Sequence, residues 1–135
     1  MLVPALVDLG DENDDWQVFI GSAFLIGAFC TLVATATRRK SQARLSQRYG
    51  FLLVTTIWVF APTVASLPLY FSSLELSYAG AFFEAMSGLT TTGGTAISGL
   101  DVLPRGLLMW RSLMQWMGGI GIIGMAILIL PLIHI

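Results

Sequence analysis

The stretch Tyr78–Thr95, YAGAFFEAMSGLTTTGGT, decides how the rest of the chain is read. Its first part, Tyr78–Leu89, is apolar, and as a helix of twelve residues it measures only ~18 Å, about half of a bilayer. A stretch of that length suits a re-entrant or interfacial segment better than a span. Ser77 stands where an N-cap belongs. The second part, Thr90-Thr91-Thr92-Gly93-Gly94-Thr95, is a poor helix, because β-branched residues lose side-chain freedom there and glycine loses backbone entropy. Glycine also admits positive φ. An extended run leaves carbonyls without internal partners, which at membrane depth is tolerated only against protein or water. Carbonyls turned into a wet cavity can replace the hydration shell of a cation, as in potassium-channel filters. The preceding half-helix would aim its partly negative C-terminal end at the same place. The same residues also admit a plainer reading, an exposed hairpin with a flexible Thr/Gly turn.

The flanks favour the pore loop. Phe51–Phe71 carries no charge and is broken by Pro62 and Pro68, which predicts a membrane helix that kinks or ends near Pro68. Pro104–Ile133 is a second apolar segment, with Pro104 suited to a first helical turn. At ~45 Å it exceeds the ~30 Å hydrocarbon core, so tilt, a break or protrusion must absorb the excess. Both flanking spans meet the Tyr78–Leu103 region on one side. Upstream, Trp16–Thr37 is uncharged and long enough to span, with Trp16 at an interfacial position. Met1–Leu9 is too short to cross and lacks the features of a signal peptide, and reads as the tail end of a helix.

Five of the eight acids lie within Asp8–Asp15, and five of the seven bases within Arg38–Arg48. Clustered bases in a short loop mark the cytoplasmic side, which places the acidic stretch and the Thr/Gly run outside. Over the whole chain of 135 residues, 56% are hydrophobic and 11% charged, against about 25% charged in ordinary soluble domains. Mean hydropathy is +0.79. Lipid is the partner this composition calls for. No basic patch interleaved with aromatics points to nucleic acid, and no nucleophile–base pair, metal cluster or phosphate loop points to an enzyme.

Two charges fall inside apolar segments, Glu84 in the half-helix and Arg111 about two turns into the last span. Charges at that depth pair or face a cavity, so the two are expected to form a structural ion pair. The alternative role for Glu84 is to attract cations directly. Gly118, Gly119, Gly121 and Gly124 permit close helix packing, or a hinge. Asp101 reads as a solvated residue near the mouth, Cys30 as packing and His134 as interfacial.

FFEAMSGLTTTGGTAISGLDVLP (residues 82–104), RSLMQWMGGIGIIGMAILILP (111–131) and the upstream RYGFLLVTTIWVFAPTVASLP (48–68) resemble the first pore repeat of the Trk/Ktr/HKT potassium transporters, near the TrkH branch. The combination of GLTTTG and QWMGGIGI carries most of that likeness. The resemblance implies an all-α membrane protein, multi-pass in the inner (plasma) membrane. Its four unequal helix–pore loop–helix units surround one pore. Residues 1–47 would hold a partial first helix, an acidic outer loop, one transmembrane helix and a basic cytoplasmic loop. Residues 48–135 would be the first pore unit, with a re-entrant helix and filter loop. Thr91, Thr92, Gly93 and Gly94 would form the filter strand, with potassium at Thr91, Thr92 and Gly93. Gly93 is the key glycine, and Gly94 stands where the family often has alanine. Potassium is the transported substrate and no covalent cofactor is implied. A cytoplasmic nucleotide-binding regulatory subunit is the implied protein partner. One filter strand cannot encircle an ion, so the others come from the rest of a longer chain or from other copies. A small homotetrameric cation channel and a non-conducting remnant or adaptor are the rival readings.

Overall fold

The computed structural model describes residues 1–37 and 47–133. Every regular element among them is a helix: α1 (Leu2–Gly10), α2 (Trp16–Ala36), α3 (Gln47–Ala65), α4 (Leu67–Phe71), α5 (Tyr78–Leu89), a short 3₁₀ turn (Leu100–Val102) and α6 (Arg105–Ile133). Two described stretches, Trp16–Ala36 and Arg48–Phe71, are long and apolar enough to cross a membrane. The basic residues Arg38, Arg39, Lys40 and Arg44, and His134, lie outside the described residues; Arg48 falls in α3.

Proline chemistry sets the break between α3 and α4. Pro62 sits inside α3, where its missing N–H leaves the ladder incomplete. The helix then ends at Ala65, and Pro68 lies at the start of α4, where a missing donor costs nothing. The span expected over Phe51–Phe71 is therefore a 19-residue helix from Gln47 followed by a five-residue one. Pro104 likewise sits one place earlier than a first-turn residue, since its carbonyl accepts from the N–H groups of Leu107 and Leu108. The 29 residues of α6 form one continuous helix, so its excess length is not absorbed by a break.

The core gathers at one end of the bundle. Phe19 of α2, Leu69 of α4, Ala81 and Ala85 of α5, and Leu107, Trp110 and Met114 of α6 are all buried together. Burying each of the large ones contributes ~1.5–3 kcal/mol. Trp110 meets Phe19 edge-on, with ring centroids 6.3 Å apart, and its indole N–H donates to the Ala65 carbonyl at 3.1 Å. That carbonyl belongs to the last turn of α3, which lacks a full set of intrahelical partners. α1 closes the same end: Asp8 is fully buried and its Oδ1 accepts from the Gly106 N–H at 2.7 Å, at the start of α6. A Cβ at position 106 would run into that carboxylate, so only glycine allows the approach. Asp15 reaches across to Ser73, accepting from its N–H and its hydroxyl.

Candidate functional site

α5 and α6 lie side by side and run in the same direction. Glu84 stands beside Arg111, Gly88 beside Met114, and the backbone of Leu89 rests on Gly118, near the middle of α6. α5 begins at Ser77, whose hydroxyl accepts from the Gly80 N–H at 3.2 Å. It ends after Leu89, through a turn at Thr90 and Thr91 rather than by passing straight into an extended run. Thr91 takes φ +58°, the left-handed region that β-branched residues avoid, and Gly93 takes φ +77°. Thr92 between them is not in that region, so the sign of φ alternates and the ordinary pleat is broken. The turn displaces the expected strand because α5 keeps hold of the loop.

Ser87 is the holding residue. Its carbonyl accepts from the Thr92 N–H at 3.0 Å and more weakly from the Gly93 N–H at 3.5 Å, while its hydroxyl donates to the Gly94 carbonyl at 2.6 Å. All peptides here are trans. In a planar trans peptide the N–H and C=O point in opposite directions. The Thr92 and Gly93 N–H groups face α5, so the carbonyls that share those peptides, Thr91 and Thr92, face away from it. Among the described residues no donor reaches the carbonyls of Thr91, Thr92 or Gly93. The Gly94 carbonyl, by contrast, is turned inward onto Ser87. Thr91, Thr92 and Gly93 are exposed and Gly94 is half-buried. The Thr90 and Thr92 hydroxyls lie 2.8 Å apart.

Glu84 ties down the next residues. Its Oε2 accepts from the Ala96 N–H at 2.9 Å and from the Thr95 hydroxyl at 3.0 Å. Its Oε1 stands 2.6 Å from Arg111 Nη2, a charge contact rather than an aligned hydrogen bond. Glu84 is 1% exposed and the Arg111 side chain 15%. One carboxylate thus links α5, the segment after the Thr/Gly loop, and α6. Asp101 is exposed, on the 3₁₀ turn, and so is Cys30. Gly118 is in backbone contact with α5, whereas Gly119, Gly121 and Gly124 have open space where a Cβ would stand.

Sequence reasoning did not single out Ser87, Thr95, Asp8 or Asp15. Two of them carried a signal. Ser87 is a hydroxyl in the last turn of an apolar helix that runs straight into a glycine loop, and Asp8 is an acid in the apolar run MLVPALVDL.

The surroundings of this site match known proteins. A family model described as TrkH, cation transport protein, covers residues 16–135. The Trk system potassium uptake protein TrkH of Escherichia coli is 40% identical over 136 aligned positions, which take in all of this chain and 28% of that protein. TrkG of the same organism is 39% identical with the same coverage. The crystal structure of the potassium transporter TrkH from Vibrio parahaemolyticus superposes with a TM-score of 0.87 at 39% identity, over 99% of this chain and 29% of that one. The chain therefore spans little more than a quarter of the length of these relatives. With the family model covering nearly all of it, the chain belongs to the TrkH family of cation transport proteins.

Proposed function

We propose that this chain supplies one helix–pore loop–helix unit of a potassium uptake transporter in the inner membrane. Residues 48–135 are that unit, and residues 1–47 precede it with a partial helix, a transmembrane helix and a cytoplasmic loop. In this reading α2, α3 with α4, and α6 cross the bilayer, and α5 enters from outside and stops half-way. The end of the bundle that carries α1, α4 and the Thr/Gly loop faces outward.

Thr91, Thr92 and Gly93 present their carbonyl oxygens to a potassium ion that has shed its water. Gly94 lies beside them in the filter loop, and its carbonyl, accepting from the Ser87 hydroxyl, holds that loop to the pore helix. The observation that carries this is the orientation of the peptides: the Thr91 and Thr92 oxygens face away from α5 and have no partner among the described residues. Buried without a ligand, such oxygens would be costly; a cation in a wet axis satisfies them. The C-terminal end of α5 points to the same region and adds a partial negative charge. The chemistry is dehydration and coordination, with no bond made or broken. Other pore strands, from the rest of a longer chain, complete the ring of oxygens. A cytoplasmic nucleotide-binding subunit is the regulatory partner consistent with the family.

Growth at limiting potassium tests this. In cells stripped of their own uptake systems and carrying the complete reading frame, Gly93→Asp is expected to abolish rescue while leaving the protein in the membrane. Position 93 has φ +77° but open space around a Cβ, so the damage falls on the loop rather than on packing. Intact rescue by Gly93→Asp would remove the filter assignment.

A further inference from the structure

We infer that Ser87 is the residue that sets the direction of the filter carbonyls, and through them the discrimination between potassium and sodium. The inference rests on the filter reading above and adds a residue to it. Several hydroxyls on the other helices follow a default: Thr31, Thr35, Thr55, Thr56, Thr63 and Ser112 each donate to a carbonyl one turn back in their own chain. Ser87, 6% exposed, departs from it. Its hydroxyl leaves α5 and donates to Gly94, seven residues on, at 2.6 Å.

The main chain of the same residue holds the other side of the loop. With the Ser87 carbonyl on the Thr92 and Gly93 N–H groups and its hydroxyl on the Gly94 carbonyl, three consecutive loop residues hang from one helical residue. Removing the hydroxyl frees the Gly94 peptide to turn. It leaves the Thr92 bond in place, so the loop remains attached but one of its anchors is lost. Glu84 holds Thr95 and Ala96 independently, which confines the freedom to Gly93 and Gly94. A loosened ring of oxygens discriminates less well by size and field strength. Ser87 is a positioning residue: it acts on the ion only through the loop.

The test measures initial rates of potassium and sodium uptake, with membrane abundance followed by immunoblot, for Ser87→Ala, Ser87→Cys, Ser87→Thr and Gly93→Ser in the complete reading frame. Ser87→Ala is expected at normal abundance with the potassium-to-sodium rate ratio lowered about three- to tenfold, the scale of one lost hydrogen bond. Ser87→Thr, which keeps the hydroxyl, is expected to retain most of the ratio. Ser87→Cys keeps the size with a weaker donor and is read the same way if Ser87→Ala fails to accumulate. An unchanged ratio in Ser87→Ala, or in Ser87→Cys where that variant stands in, overturns the inference. If Gly93→Ser shifts the ratio while those variants do not, only the role of Ser87 falls. If Gly93→Ser also leaves the ratio untouched, the filter reading falls with it.

Discussion

The two ends of this helix bundle are built on different terms. At the end that carries α5, helices are cross-tied by polar groups: Asp8 to Gly106, Asp15 to Ser73, Trp110 to the Ala65 carbonyl, Glu84 to Arg111. Between those ties sit Phe19, Leu69, Leu107 and Met114, all fully buried. At the other end the helices stand bare. Phe24, Leu25, Leu32, Leu52, Ile57, Ile123 and Ile127 are exposed. A contact there between α3 and α6 is a hydrogen bond from Trp58 Nε1 to Met125 Sδ, 3.2 Å, beside an apolar cavity of about 260 Å³ lined by Trp58, Gly121, Gly124 and Met125. Polar ties need exact partners within the chain, whereas an apolar surface can be covered by lipid or by neighbouring helices without prescribed geometry. The difference shows where a fold of this kind concentrates its prescribed polar contacts: around the loop, not along the spans.

The sharpest way to break that comparison is to cut the tie that joins three elements. Glu84→Gln leaves Arg111 without its counter-charge and is expected to cost about 4 kcal/mol, the range for a buried pair that loses one member. Thermal unfolding of the purified protein and membrane abundance would both fall. Adding Arg111→Met should recover part of the loss, and a purely additive double variant would show the two residues to be uncoupled. Next comes a contrast between glycines of one helix. Gly118→Ala drives a methyl group into the backbone of Leu89 and is expected to cost about 3 kcal/mol, toward the upper end for overpacking. Gly121→Ala, with open space, should stay within about 0.5 kcal/mol. Equal effects at the two positions would erase the distinction between the ends. Below Gly118→Ala comes Trp110→Phe, expected to cost about 1–2 kcal/mol, from a buried Ala65 carbonyl left without its donor. Melting curves should place it well below Glu84→Gln.

Much of the fold is legible in the order of residues along the chain. Twelve apolar residues after Ser77 and before three threonines mark α5 at both ends, because a cap, a length and a run of poor helix formers are all local signals. The uncharged Trp16–Thr37 segment predicts α2 within one residue for the same reason. The break at Ser66 rather than Pro68 is less legible, since a proline ends a helix only where neighbours do not re-supply its lost bond. The loop itself is legible in composition but not in conformation. Two glycines announce positive φ; they do not say that Thr91 adopts it as well, while Gly94 is held with its oxygen inward.

Length, hydropathy, caps and prolines belong to neighbouring residues, so the chain alone determined an all-helical protein with a half-length helix ahead of a Thr/Gly loop. Which way each loop peptide faces was decided by the turn that folds Gly94 back onto Ser87, and which carboxylate meets which donor by residues brought together from far apart, as with Asp8 and Gly106 at a separation of 98 positions. The physical reason is that burial can be read from contiguous composition. A hydrogen bond has to be satisfied in three dimensions, and its partner exists only once the helices have packed.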